Sequence, residues 1–195
     1  ITVEILALYD RAKAEGWSKD AFLLEVSKIP GVYVPSFYRH EYNADGTLSL
    51  GRYYGSESSV TVPRSVDGLL VTGIGREAFS YRTGLKQVSL PTSITSIGQS
   101  AFYYCTALQS ISLPYGVTSI GPSAFYNCIS LGEAELPQSI LSIGSLAFSN
   151  CSDLTGSYTF INASVSDSAF NGVSGTEVWC YAVTGEASLR LERCI

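Results

Sequence analysis

The chain has no methionine anywhere, a single histidine and only 12 lysines and arginines among its 195 residues. It begins at Ile1 without an initiator, as expected of a processed or trimmed product. No apolar run approaches the length of a membrane-spanning helix. The first fifteen residues bear charges and lack both a basic start and a small-residue cleavage site, so no signal peptide is read there. From Gln87 to Gly175 there is no lysine, arginine or histidine. A nucleic-acid partner needs cations against its phosphates, and a polybasic membrane contact needs them against lipid headgroups. Both are excluded for this stretch. His40 has no second histidine with which to form a ligand set or a catalytic pair. No phosphate-binding glycine loop, nucleophile elbow or zinc-protease motif occurs. The net charge is −5, with 46% apolar and 15% charged residues, a balance that suits a folded, well-buried chain.

What the chain does have is a period. Ala-Phe recurs at Ala78-Phe79, Ala101-Phe102, Ala124-Phe125, Ala147-Phe148 and Ala169-Phe170, at spacings of 23, 23, 23 and 22. Gly75, Gly98, Gly121 and Gly144 each follow Ile. Leu-Pro recurs at Leu90, Leu113 and Leu136, and cysteine at Cys105, Cys128 and Cys151. One unit reads Leu108-x-x-Ile111-x-Leu113-Pro114-x-x-Val117-x-x-Ile120-Gly121-x-x-Ala124-Phe125-x-x-Cys128. The alternation around Ile111 predicts a short half-buried strand. Proline cannot donate to a ladder and closes it. Val117 and Ile120 point inward, Gly121 permits a tight corner, and Ser123-Ala124-Phe125 opens a helical turn that places a ring in the core. One such coil cannot bury its own apolar edge, so neighbours must stack, with strands about 4.8 Å apart in a parallel sheet.

These phased motifs resemble the BspA-like leucine-rich repeat of bacterial surface proteins. The resemblance extends upstream through Tyr42, Asp45-Gly46, Gly51 to Gly55 and Val62 to Gly75, like a lengthened opening unit. Downstream it covers an atypical fifth unit, with Val165-Ser166 in place of Ile-Gly, then a strand near Val178–Tyr181 and a short helix over about Gly185–Glu192. The expected fold is α/β but mostly β. It is a right-handed leucine-rich-repeat solenoid of about five units, with parallel strands on the concave face. The expected divisions are residues 1–41, an N-terminal helical cap; 42–175, the array; and 176–195, a C-terminal cap. In the first, Ile5, Leu8, Tyr9 and Ala12 share a helical face, Glu15-Gly16-Trp17 breaks it, and Ser18 caps a second helix ended by Pro30. This helical hairpin is expected to cover the solenoid's N-terminal edge.

Residues 15–46 also resemble a linker segment of cobalamin-binding radical-SAM proteins, through Glu15-Gly-Trp-Ser and Ile29 to Tyr38. The cluster motif CxxxCxxC of those enzymes is missing, so no catalytic residue is carried over. That resemblance implies an intracellular scaffold or an appendage of such an enzyme. The repeat resemblance implies a surface-exposed or secreted bacterial protein that contacts host or neighbouring-cell molecules.

The candidate binding residues are the outward strand positions Gln87, Ser89, Ser110, Ser112, Glu133 and Glu135. Two readings stand: a shallow polar patch for a basic or hydroxyl-rich protein or glycan, or a solvated face. Tyr103, Tyr104, Tyr115 and Tyr126 form a rival patch, with packing between coils as its plainer explanation. The three periodic cysteines are expected to be a row of small buried thiols, since ligands spaced one strand apart do not close around a metal. Cys180 and Cys194 are a further pair able to bridge, and the redox compartment stays open. Asn162-Ala-Ser164 matches a glycosylation sequon, which matters only in a eukaryotic secretory pathway. Glu133 and Glu135 on a flat strand face lack the cleft that would tune two carboxylates for glycoside hydrolysis. No catalytic residue, cofactor or metal is expected, and no membrane insertion.

Overall fold

The fold is described from a computed structural model, which describes residues 2–17, 21–22, 25–26, 38–184 and 188–193. Helix α1 spans Thr2–Glu15. It stops where expected: Gly16 takes a left-handed φ of 68°, and Trp17 N–H donates back to the Ala12 carbonyl at 2.9 Å. Most of the expected second helix lies outside the described residues. Of it, Ala21, Phe22, Glu25 and Val26 are described and are helical, with Phe22 edge-on to Tyr9 at 5.8 Å.

The rest is a mostly-β solenoid of about six turns with parallel strands. Its strands are β1 Tyr38–Tyr42, β2 Leu48–Tyr53, β3 Ser59–Thr61, β4 Ser65–Val66, β5 Leu69–Ile74, β6 Gln87–Ser89, β7 Ser96–Ile97 and β8 Ser110–Ser112. They continue as β9 Ser119–Ile120, β10 Glu133–Glu135, β11 Ser142–Ile143, β12 Gly156–Ile161, β13 Ser164–Val165, β14 Thr176–Thr184 and β15 Ser188–Arg193. The extra turn relative to the expected five is the opening one. There β2 pairs parallel with β5, and β3 pairs parallel with β6, so residues 48–61 already form a coil.

Each coil contributes to three ladders. One sheet runs β3-β6-β8-β10. A second runs β1-β2-β5-β7-β9-β11-β13, with β4 paired to β5. The third side has no strand. Its turns are joined by backbone bonds from one coil to the next, such as Phe102 N–H to the Ala124 carbonyl and Phe125 N–H to the Ala147 carbonyl, both 2.7 Å. Strands of two or three residues suffice because every side of the coil is paired. Proline closes each strand of the first sheet: the carbonyls of Pro91, Pro114 and Pro137 accept from Ile94, Val117 and Ile140 N–H.

One apolar core runs from Leu48 to Val178. At its centre Phe79, Phe102, Phe125, Phe148 and Phe170 stack at centroid distances of 5.0–5.1 Å with interplanar angles of 4–11°. Tyr53 and Tyr158 close the two ends of this column.

Two expectations need correction, and one gains its physical reason. The recurring glycines do stand at corners, directly after β5, β7, β9 and β11, but without a left-handed φ. A Cβ on Gly121 would lie 2.6 Å from Gln99 N, and one on Gly98 2.8 Å from the Ile74 carbonyl oxygen. Glycine is there because the neighbouring backbone leaves no room. The left-handed residues are others: Glu77, Ser100, Ser123 and Leu146 before each ring, and Tyr81, Tyr104, Asn127 and Asn150 after it. Second, the free edge of β2 is covered by strand β1, antiparallel to it, and β1 spans the expected boundary at residue 41. Third, where a helix was expected over 185–192, the described residues Ser188–Arg193 form a strand. β15 pairs antiparallel with β14 from Trp179↔Arg193 to Thr184↔Ser188. Leu, Arg and Glu favour helix, but Ser188-Leu-Arg-Leu-Glu-Arg193 also alternates with period two, and the free edge of β14 selects the strand. Residues 185–187 lie outside the described residues.

Candidate functional site

Why the outward row exists follows from the coil. In β6, β8 and β10 the middle residues Val88, Ile111 and Ala134 are buried, and strand alternation turns the residues on either side outward. Parallel register then aligns the coils. Gln87 faces Ser110, Glu133 faces Ser110, and Glu135 faces Ser112. All six expected residues therefore share one sheet face. Ser112 Oγ donates to the Glu135 carboxylate, tying the last two coils. The face extends one coil further than expected, through Ser59 and Thr61 opposite Gln87 and Ser89. They escaped the periodic reading because the opening unit is longer, offsetting Ser59 from Gln87 by more than one 23-residue repeat.

A shallow trough of about 530 Å³ lies over Ser59, Thr61, Gln87, Ser89, Ser110 and Ser112. Glu133 and Glu135 stand one coil beyond it. The row is uncharged over most of its length, with no Asp, Glu, Lys, Arg or His from Gln87 to Gly132, and ends on Glu133 and Glu135. A second open trough, of about 510 Å³, crosses the other sheet over Ser96, Ser119, Ser142 and Ser164. It was not singled out in the sequence, although those serines recur with the period.

The tyrosines divide into two groups. Tyr103 stacks on Tyr126 at 5.2 Å and 12°, and Tyr81 stacks on Tyr104 at 5.5 Å and 24°. Each pair is one repeat apart, a signal that would have added Tyr81 to the set. Packing between coils is therefore real, yet Tyr81 remains 60% exposed. Burial and the neighbouring tyrosines push the Tyr103 hydroxyl above its ordinary pKa. Tyr115 stands apart at the corner between β8 and β9, 79% exposed.

The periodic cysteines are buried free thiols. Cys105, Cys128 and Cys151 Sγ donate to the carbonyls of Phe79, Phe102 and Phe125, each at 3.1 Å, bonding every coil to the one before. Burial raises Cys105 to about 12 and Cys128 well above its usual value. Burial thus disfavours the thiolate form that nucleophilic chemistry needs at Cys105 and Cys128. Among the described residues no group of three His, Cys, Asp or Glu is placed to hold a metal ion. Cys180 is disulfide-bonded, and Cys194 lies outside the described residues. His40 sits within β1 opposite Leu50. No described helix is long and apolar enough to cross a membrane.

A three-sided parallel solenoid with an aromatic column and rows of small polar side chains defines a leucine-rich-repeat scaffold. The chain belongs to the BspA type leucine rich repeat family, whose model matches residues 58–179 in six copies. Among solved structures, it is similar to the leucine rich repeat protein TpLRR of T. pallidum. The identity is 33% and the TM-score 0.62, over 73% of this chain and 64% of that one. It is also similar to a leucine rich cell surface protein of Faecalibacterium prausnitzii, at 28% identity and a TM-score of 0.55, over 76% of this chain and 48% of that one. The pneumococcal vaccine antigen PcpA shares the fold, at 19% identity and a TM-score of 0.53, over 75% of this chain and 50% of that one. The chain thus spans from about half to about two thirds of those chains. No protein of curated function matches. The family match begins after residues 15–46, and the radical-SAM linker resemblance found there gains no support from it.

Proposed function

We propose that the chain is a non-catalytic protein- or glycan-binding module of a bacterial cell-surface or secreted protein. Its binding face is the row Gln87, Ser89, Ser110, Ser112, Glu133 and Glu135, read as the concave side. The observation that carries this is the in-register row itself: coil after coil, a buried middle residue holds two outward polar side chains in place. A rigid, repeated surface of this kind binds through summed small contacts. Its acidic end favours a partner with a basic group that meets Glu133 and Glu135. The likeness to a leucine rich cell surface protein supports the location, and a disulfide at Cys180 suits an oxidising compartment.

Protease shaving and fractionation of producing cells, followed with an antibody to the repeats, test the location. Loss of signal on shaving supports it, and a protected cytosolic pool overturns it. Screening host proteins and glycans with the wild-type chain and an E133Q/E135Q variant tests the face. A captured ligand that binds both equally assigns the face elsewhere.

A further inference from the structure

The ladder that joins the strandless third side of the coils ends before the chain does. On that side each coil donates to the next: Tyr81 N–H to the Tyr103 carbonyl, Tyr104 to Tyr126, Asn127 to Ser149 and Asn150 to Asn171, at 2.7–2.9 Å. Gly172 holds the same position one coil later. There the chain leaves for β14, and among the described residues Gly172 N–H meets no acceptor. The peptide plane between Asn171 and Gly172 is therefore held from one side only, by Asn150, whereas its equivalents at 126–127 and 149–150 are held from both. Asn171 and Gly172 are both exposed, so water can reach the free donor and the amide beside it. Asn171-Gly172 is also the only Asn-Gly in the chain.

We propose that Asn171-Gly172 is a site of spontaneous self-modification that loosens the last coil with time. Gly172 N gives up its proton to solvent and attacks Asn171 Cγ, closing a succinimide ring. The Nδ2 nitrogen leaves as ammonia, taking a proton back from solvent. Water then opens the ring. Cleavage at the side-chain carbonyl leaves aspartate in a normal chain. Cleavage at the main-chain carbonyl leaves isoaspartate, in which the chain runs through the β-carbon and the old carbonyl becomes a free carboxylate. Water enters, ammonia leaves, and nothing is oxidised or reduced. Glycine puts no side chain in the path of the attacking nitrogen. The plane that must rotate lies between the central residues of a turn, where Val173 N–H donates to the Phe170 carbonyl at 3.2 Å and Gly172 has a φ of 74°. The other asparagines lack this combination. Cys128 and Cys151 N–H, which follow Asn127 and Asn150, donate to the Phe125 and Phe148 carbonyls. Asn43 and Asn162 are followed by alanine, whose methyl crowds the attack, and the Asn43 amide is held by Thr47, Thr72 and Ser49. The consequence is structural. The Asn171 carbonyl accepts from Asn150 N–H at 2.8 Å, and isoaspartate moves that acceptor out of the main chain. The rung that ties the last coil to its neighbour is lost. This change does not depend on what the strand face binds.

The test incubates the full chain at neutral and at mildly alkaline pH, beside a urea-unfolded sample, and maps its peptides by mass spectrometry over time. In the folded chain, loss of the side-chain amide is expected at Asn171, faster at the alkaline pH and with isoaspartate as the main product. The amides of Asn43, Asn127, Asn150 and Asn162 are expected to persist. Asn171→Gln should abolish the change, because the larger ring closes far more slowly. Hydrogen exchange reads the consequence. The Asn150 amide should lose protection in the aged chain, while the Asn127 amide keeps it. Asn171→Asp, which gains the charge but keeps the normal backbone, should leave Asn150 as protected as in the fresh chain. An Asn171 amide that survives in the folded chain while the unfolded sample converts overturns the proposal. Loss spread evenly over all the asparagines also overturns it. Equal protection of Asn150 in fresh and aged chains overturns the loosening of the last coil.

Discussion

The middle coils and the last two turns solve one problem differently. Between Ile94 and Cys151 each coil has a near-identical neighbour on both sides. Its strands are two or three residues long, and it relies on shared turn bonds, a shared ring column and a shared thiol row. After Cys151 the pattern loosens. Val165-Ser166 replaces Ile-Gly, Val173 stands where the repeat has cysteine, and the strands lengthen to six and nine residues in β12 and β14. The sheet then turns antiparallel through β15. A coil with one neighbour has an unpaired edge, and long strands closed by a hairpin bond that edge within the chain. Repetition stabilises the middle, whereas local hydrogen bonding finishes the end.

The largest expected effect tests the ring column. Phe125→Ala removes a ring stacked on both sides and is expected to cost about 3–5 kcal/mol in urea unfolding. Phe170→Ala, with Phe148 at 5.0 Å on one side but only the more distant Tyr158 ring at 6.2 Å on the other, should cost clearly less. Equal losses would show that the column does not act as a shared element. Next comes pH. Cys105 is raised to about 12 by burial and Cys128 also lies high, so the folded chain keeps protons that the unfolded chain releases. The raised pKa values stabilise the fold fully below about pH 9, and that stability is lost as pH rises towards 12, by a few kcal/mol in all. Denaturation midpoints measured over that range should fall steadily, and a variant with all three thiols changed to alanine should lose most of the slope.

Gly121→Ala is expected to cost about 1–3 kcal/mol, since its Cβ meets backbone of the neighbouring coil. Gly132→Ala, whose Cβ would lie 3.9 Å from the Asp153 carbonyl oxygen, should change stability by less than about 0.5 kcal/mol. Thermal melts of the pair separate close approach from mere glycine content. The smallest effect is a gain. Leu146 has a φ of 57°, and Leu146→Gly should stabilise by about 0.5–1 kcal/mol. A loss instead would mean that its side chain contributes more than its backbone costs.

Much of this was legible because period carries information that single residues do not. Phe125 and Cys128 announce a buried column by recurring, and Ile111 between two serines announces a strand with one inward residue. The row Gln87 to Glu135 followed directly from that alternation, and its register from the constant spacing. Gly121 does stand at a corner, but its sequence reading there was backbone freedom, and only the neighbouring coil reveals the close approach. The helix expected over 185–192 shows the opposite limit: side-chain propensity was set aside by an open strand edge.

The sequence by itself determined that the chain is a repeat array, which residues face inward, and which polar side chains line the outward row. Only the tertiary structure decided which coil atoms crowd Gly121, that β14 and β15 close the end as a hairpin, and that Tyr81 stacks on Tyr104. The reason is physical: inward and outward follow from local periodicity along one chain segment. Close approach, edge pairing and ring stacking depend on where the next coil lies, some 23 residues away.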